Sequence, residues 1–182
     1  MKRLAWLTDL HLKFVIAGHG ERLCRSVAET GADAVLFTGD IGEAHDEEPL
    51  LKALDVGLGM PPYFVLGIHD FHGGGIARVR AGIQGLCARS PRLTYLTRAG
   101  FVALTEETGP IGHDSRVGDY AGSGVLLDDY RLIEGLAGLD KEARLGRLPA
   151  LGDEAAAHFR SLLPVALVRF RCARPSLVDL VS

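Results

Sequence analysis

Three short stretches carry side chains able to do chemistry: Thr8-Asp9-Leu10-His11, Thr38-Gly39-Asp40 and Gly67-Ile68-His69-Asp70. Carboxylate oxygens and imidazole nitrogens together make a donor set for a divalent cation such as Mn, Fe or Zn. Singly, each stretch says little, because Asp-x-His arises often by chance and the aspartate of a Gly-Asp pair is commonly a turn or capping carboxylate. Their order along the chain adds weight, since each one follows a short apolar run. Gly39 and Gly67 allow the sharp turns and close backbone approach that such a site needs. Of the other histidines, His113 in Ile111-Gly112-His113-Asp114 is the best further ligand candidate. His72 reads as a loop residue that could face a substrate, His19 and His45 as solvated, and His158 as a helix-surface residue.

The elements that would position these residues alternate. Leu4–Thr8, Ala34–Thr38 and Tyr63–Leu66 read as buried strands. Between and after them, Glu21–Thr30, Glu47–Leu58 and Ile76 to about Ala88 read as helices, with Gly31 and Gly59 just past the ends of the first two. A βαβαβα order implies parallel strands in an α/β sheet, and parallel strands deliver all three polar stretches to one edge. Leu93–Leu96, Phe101–Leu104 and Pro110–Gly112 read as three further short strands. Helix dominates from Asp128, clearest over Asp153–Leu163, with Asp153 as its cap and Pro164 as a kink or a new start.

These residues resemble the calcineurin-like metallophosphoesterases, whose signature runs Asp-x-His, then Gly-Asp after a second strand, then Gly-Asn-His-Asp/Glu after a third. Later histidines follow in that family, the last pair as Gly-His-x-His. The resemblance covers Leu4 to about Asp70, with looser similarity through Gly112-His113-Asp114. It implies a β-sandwich flanked by helices in an α/β/β/α layering. It also implies Asp9 and His11 as ligands of one metal and Asp40 as a carboxylate bridging two. His69 would be the catalytic histidine that stabilises the transition state or protonates the leaving oxygen, with Asp70 its catalytic neighbour. The implied reaction is hydrolysis of a phosphate-ester substrate by in-line attack, with two divalent ions (Mn, Fe or Zn) neutralising the phosphoryl charge.

Two departures bear on that expectation. Ile68 stands where the family has an asparagine whose amide oxygen binds the second metal, and isoleucine has no donor. After His158 the remaining 24 residues hold no histidine, so no Gly-His-x-His is present. The expected organisation is therefore a partial domain over 1–170, lacking part of its C-terminal half, followed by an atypical tail over 171–182.

Composition narrows the rest. With 20 Lys+Arg against 23 Asp+Glu, the 182-residue chain has a formal charge of −3 and no basic run, so no nucleic-acid partner is indicated. No apolar stretch is long enough for a membrane span, and no signal-peptide core precedes Asp9. Cys24, Cys87 and Cys172 form neither a disulfide framework nor a CxxC metal knuckle, which points to the cytoplasm. Nucleophile-elbow, Walker A and dinucleotide-binding patterns are missing. The leading expectation is a metal-dependent phosphatase or phosphodiesterase; the alternative is a non-catalytic protein that binds a partner or a single metal.

Overall fold

The computed structural model describes residues 2–14, 18–114 and 129–170, with the side chains of Tyr130, Arg144, Leu145, Leu148 and Phe170 left aside. The 171–182 tail, including Cys172, lies outside the described residues. Strands β1 (Leu4–Leu7), β2 (Ala34–Thr38), β3 (Pro62–Val65) and β4 (Thr94–Tyr95) form one parallel sheet in the order β1-β2-β3-β4. Leu7 pairs with Phe37, and Phe37 with Phe64, so the first three strands end level with one another. Helices α1 (His19–Glu29), α2 (Glu47–Leu58) and α3 (Ile76–Cys87) occupy the connections. The first three strands and three helices thus fall where the apolar periodicity places them, within two residues.

The sequential strand order decides where the helices go. Crossovers of one hand that always step in the same direction deliver every helix to the same face of the sheet. One core cluster accordingly joins Val27 of α1, Leu51 and Leu54 of α2, and Val79 and Ile83 of α3 to Val35, Phe37, Phe64 and Tyr95 of the strands. Strand β2 is buried at all five positions, which is why it reads as an unbroken apolar run. On the opposite face Leu4 and Trp6 of β1 are 39% and 59% exposed. Trp6 donates from its indole nitrogen to the Thr38 hydroxyl at 3.0 Å.

Four sequence expectations change. The strand expected over Leu93–Leu96 shrinks to two residues, because Leu96 already starts helix α4 (Leu96–Ala99). Phe101–Leu104 and Pro110–Gly112 are not strands: no ladder partner lies beside them, and Leu104 closes instead on the Thr108 carbonyl. No second sheet occurs among the described residues. After the short helix α5 (Asp129–Leu132), helix α6 runs from Lys141 to Phe170 and continues past both Pro149 and Pro164. Asp153 therefore lies inside it, and Asp140 caps it by accepting the Ala143 N–H at 2.8 Å. No helix among the described residues is long and apolar enough to cross a membrane.

The loops at the carboxyl edge are sewn to one another. Asp9, His11 and Leu12 donate their backbone N–H groups to the carbonyls of Gly39, Asp40 and Ile41 at 3.3, 2.9 and 2.8 Å, so the loop after β1 lies along the loop after β2. The loop after β3 crosses the same place. Gly39 has φ +95°, and a Cβ there would stand 2.5 Å from the Gly67 nitrogen; a Cβ on Gly67 would collide with the Asp40 carboxylate. Asp70, fully buried, accepts from Gly42 N–H at 2.8 Å and Gly67 N–H at 2.7 Å, tying the second loop to the third.

The far end of the edge has its own polar cluster. Arg80 donates to Asp114 and Glu154 at 2.8 and 2.7 Å, while Tyr95 and Thr97 also donate to Asp114. His113 is buried here, its ring 4.9 Å from that of His158 and its Nε2 3.7 Å from Glu154. His113 thus anchors α6 and stands outside the donor groups at the other strand ends. His158, expected on a helix surface, is its packing partner.

Two outcomes follow from these contacts. Gly39→Ala adds left-handed strain and a backbone collision, and is expected to lower stability by roughly 2–4 kcal/mol; an unchanged urea midpoint would show that the second and third loops are not packed this closely. Burial lowers the His113 pKa from its ordinary 6.5, opposed by Asp114 and Glu154 and reinforced by Arg80 and His158. The neutral form is the one that packs, so its stabilisation is complete above pH 6.5 and is lost as pH falls through the lower folded value. His113→Asn should flatten that acid-side fall in denaturation free energy measured across a pH series.

Candidate metal centre

Strands β1, β2 and β3 end together, and the sewn loops bring the side chains after them to a common point. One donor atom each from Asp9, His11 and Asp40 lies within 4.8 Å of the others. These same three residues have φ of +53°, +43° and +52°, and no other non-glycine residue among those described has positive φ. A left-handed backbone costs an ordinary residue about 1–3 kcal/mol, so it persists only where surrounding contacts impose it. Here the imposing contacts are the carbonyls of Gly39, Asp40 and Ile41. Aspartate and histidine are among the non-glycine residues that enter this conformation most readily, which is how these three positions can hold it.

The trio has an open side. Asp9 is exposed and takes a 2.6 Å hydrogen bond from Thr8, while His11 and Asp40 are half-buried. Asp40 also accepts the His69 backbone N–H at 3.0 Å, so it binds the second loop to the third as well as facing the trio. Two carboxylates and one imidazole make an oxygen-rich, one-nitrogen donor set that suits a divalent cation such as Mn or Fe.

His69 borders this group. Its ring meets that of His11 edge-on, with centroids 4.9 Å apart and planes at 71°. Burial lowers its pKa, Asp40 pulls the other way, and His72 and His11 reinforce the fall. Asp70, expected as the catalytic neighbour of His69, has no exposed surface, and its carboxylate accepts from Gly42 and Gly67 beside Glu47. Its place in the fold is the junction of the loops after β2 and β3. Burial pushes its carboxyl up to about 7 against the pull of those two N–H groups. Beside it Glu47 is also buried, with neither carboxyl oxygen hydrogen-bonded to a described residue, and burial followed by repulsion from Asp70 favours its neutral acid. Ile68 packs against the hydrophobic core, so no side-chain donor comes from that position.

A second donor group escaped the sequence reading. His72 is only 4% exposed, and its Nε2 lies 2.8 Å from Asp129 Oδ1. His69, His72 and Asp129 bring one donor atom each within 4.8 Å of the others. The rings of His69 and His72 stand 4.5 Å apart at 33°. One local signal was available: His69 and His72 are three apart, and the 3₁₀ turn over His69–Phe71 places such residues on the same side. Asp129 gave none, being 57 residues from His72. It is brought in by backbone bonds from Gly73 N–H to Leu132 and from Glu134 N–H to Gly74, both 2.8 Å.

No protein-family model matches the chain, and no curated protein matches it. Among solved structures, the phosphopantetheinyl hydrolase (PptH) from Mycobacterium tuberculosis is similar, with a TM-score of 0.57 at 14% identity. The match covers 88% of this chain and 64% of that one, so the chain spans under two thirds of its length. The resemblance to the calcineurin-like metallophosphoesterases is corrected by these results. It rests on a few polar residues at three strand ends, and the carboxyl edge of any parallel sheet collects residues of that kind. What the comparison shows is a shared mixed α/β fold.

Proposed function

We propose that the chain holds a divalent cation through Asp9, His11 and Asp40 and hydrolyses a phosphate ester at that edge of the sheet. The observation that carries this reading is the coincidence of convergence with strain. The three residues whose donor atoms meet are the same three non-glycine residues held at positive φ. Strain retained at one point of an otherwise relaxed backbone is a mark of function. A cation bound there supplies Lewis acidity toward a phosphoryl oxygen and makes the attacking water more acidic.

The chain's own residues do the rest. Asp9 and Asp40 provide the negative charge that retains the cation, and the exposed side of Asp9 leaves room for a phosphoryl group. His69 stands at the rim of the same opening with its imidazole held neutral by burial, ready to accept a proton or a cation. Asp70 fixes the two loops on which Asp40 and His69 stand. The similar solved structure is named a hydrolase, and that name supports hydrolysis as the reaction class. In this reading the described sheet and its helices form one half of the α/β/β/α layering expected from the sequence.

The test is turnover of an aryl phosphate diester by metal-stripped protein with and without added Mn²⁺. Turnover is expected only with the ion, and Asp40→Asn is expected to reduce it about 100-fold. Asparagine is chosen because it tolerates the left-handed backbone and still accepts the His69 N–H. Metal-independent turnover, or full activity in the variant, would sink the reading. Bound Mn²⁺ without turnover would leave a cation-binding module instead.

A further inference from the structure

We infer that His69, His72 and Asp129 form a second, separate cation site, nitrogen-rich and selective for zinc-like ions, next to the Asp9–His11–Asp40 group. The inference extends the proposed function and rests on its reading of this edge as a cation-binding edge. Its own observations are different ones. The three donor atoms lie within 4.8 Å of one another, close enough for a single ion to reach all three. His72 and Asp129 are 4% and 7% exposed, so the position is shielded from bulk water on their side. The segment bearing Asp129 is held by two backbone hydrogen bonds to the loop after β3 and by a parallel bridge from Gly75 to Glu134. The donor set is therefore built from two fixed pieces of chain.

The chemistry of the two groups differs in a way that can be measured. Asp9, His11 and Asp40 offer two oxygens and one nitrogen; His69, His72 and Asp129 offer two nitrogens and one oxygen. Imidazole-rich sets favour Zn²⁺ over Mg²⁺ or Mn²⁺, while carboxylate-rich sets admit Mn²⁺. The groups adjoin through the His11–His69 ring contact. With an ion bound, His69 acts as a ligand, and proton transfer to the leaving oxygen falls to solvent.

The competing account is a buried His72–Asp129 hydrogen bond with no ion. Zinc titration of the metal-stripped full chain, read by calorimetry and by metal content after dialysis, separates the two. Two equivalents of Zn²⁺ are expected for the unmodified protein. Asp129→Asn, close in shape and still able to meet His72, should lose one equivalent and keep the other; Asp40→Asn should lose the complementary one. If the unmodified protein binds a single equivalent, lost in Asp40→Asn and retained in Asp129→Asn, this inference fails while the proposed function stands. If no ion binds, both fail. X-ray absorption of the unmodified protein guards against a misfolded variant. Zinc should fill the two-imidazole group first, so the second equivalent, entering the one-imidazole group, should lower the mean number of imidazoles per zinc, and an unchanged number would overturn the inference.

Discussion

The carboxyl edge of this protein depends on one buried carboxylate. Asp70 takes the N–H of Gly42 with one oxygen and that of Gly67 with the other, and so sets the distance between the loops after β2 and β3. Two backbone amides hold this carboxyl although burial pushes it up to about 7, and leaving such an acceptor buried without partners costs about 1–3 kcal/mol. Each half of the contact therefore enforces the other. Asp40 and His69 stand on the two loops so joined, and two further bonds between those loops, from His69 N–H to Asp40 and from Ala44 N–H to the His72 carbonyl, accompany that alignment.

From this constraint the rest of the edge can be read outward. The loop after β1 is aligned on the loop after β2 by three backbone bonds and by the Lys13–Glu43 ion pair. Those bonds need the chain to turn left-handed at Asp9, His11 and Asp40. The loop after β3 in turn receives the segment after residue 128 through bonds at Gly73 and Gly74. The polar side chains at the site are thus placed by hydrogen bonds between loops, backbone and side-chain together, with the parallel sheet supplying a common starting line.

That division explains what could be read from the sequence. Strands β1 to β3 and helices α1 to α3 are encoded locally, in unbroken apolar runs such as Ala34–Thr38 and in helical spacing closed by glycines such as Gly59, which has φ +67°. Asp9, His11, Asp40 and His69 were legible because each follows such a run directly. Asp70 was legible as a site neighbour, but its orientation toward Gly42 and Gly67 depends on a loop crossing that no local pattern encodes. His72 and Asp129 form a contact between distant segments, and Asp129 follows no apolar run. The strands expected at Phe101–Leu104 and Pro110–Gly112 failed for the converse reason: short apolar runs are ambiguous without a partner, and here neighbouring side chains such as Val65 and Leu96 crowd around Gly112. Helix α6 passes through two prolines that a local reading treats as stops, its start being set by Asp140 and its packing by Arg80, Glu154 and the His113–His158 contact.

The His72–Asp129 pair also has a topological consequence. It joins positions 57 residues apart, between the end of β3 and the start of α5. The entropy of closing a flexible loop grows only with the logarithm of its length, so spanning that distance costs about 0.6 kcal/mol more than spanning half of it. A contact so cheap to close, once made, ties the chain like a noncovalent staple. The segment that begins at Asp129 is then a strap drawn across the third loop and pinned in the core by Ile133 and Leu136, so unshielding His72 would also uncover part of that core.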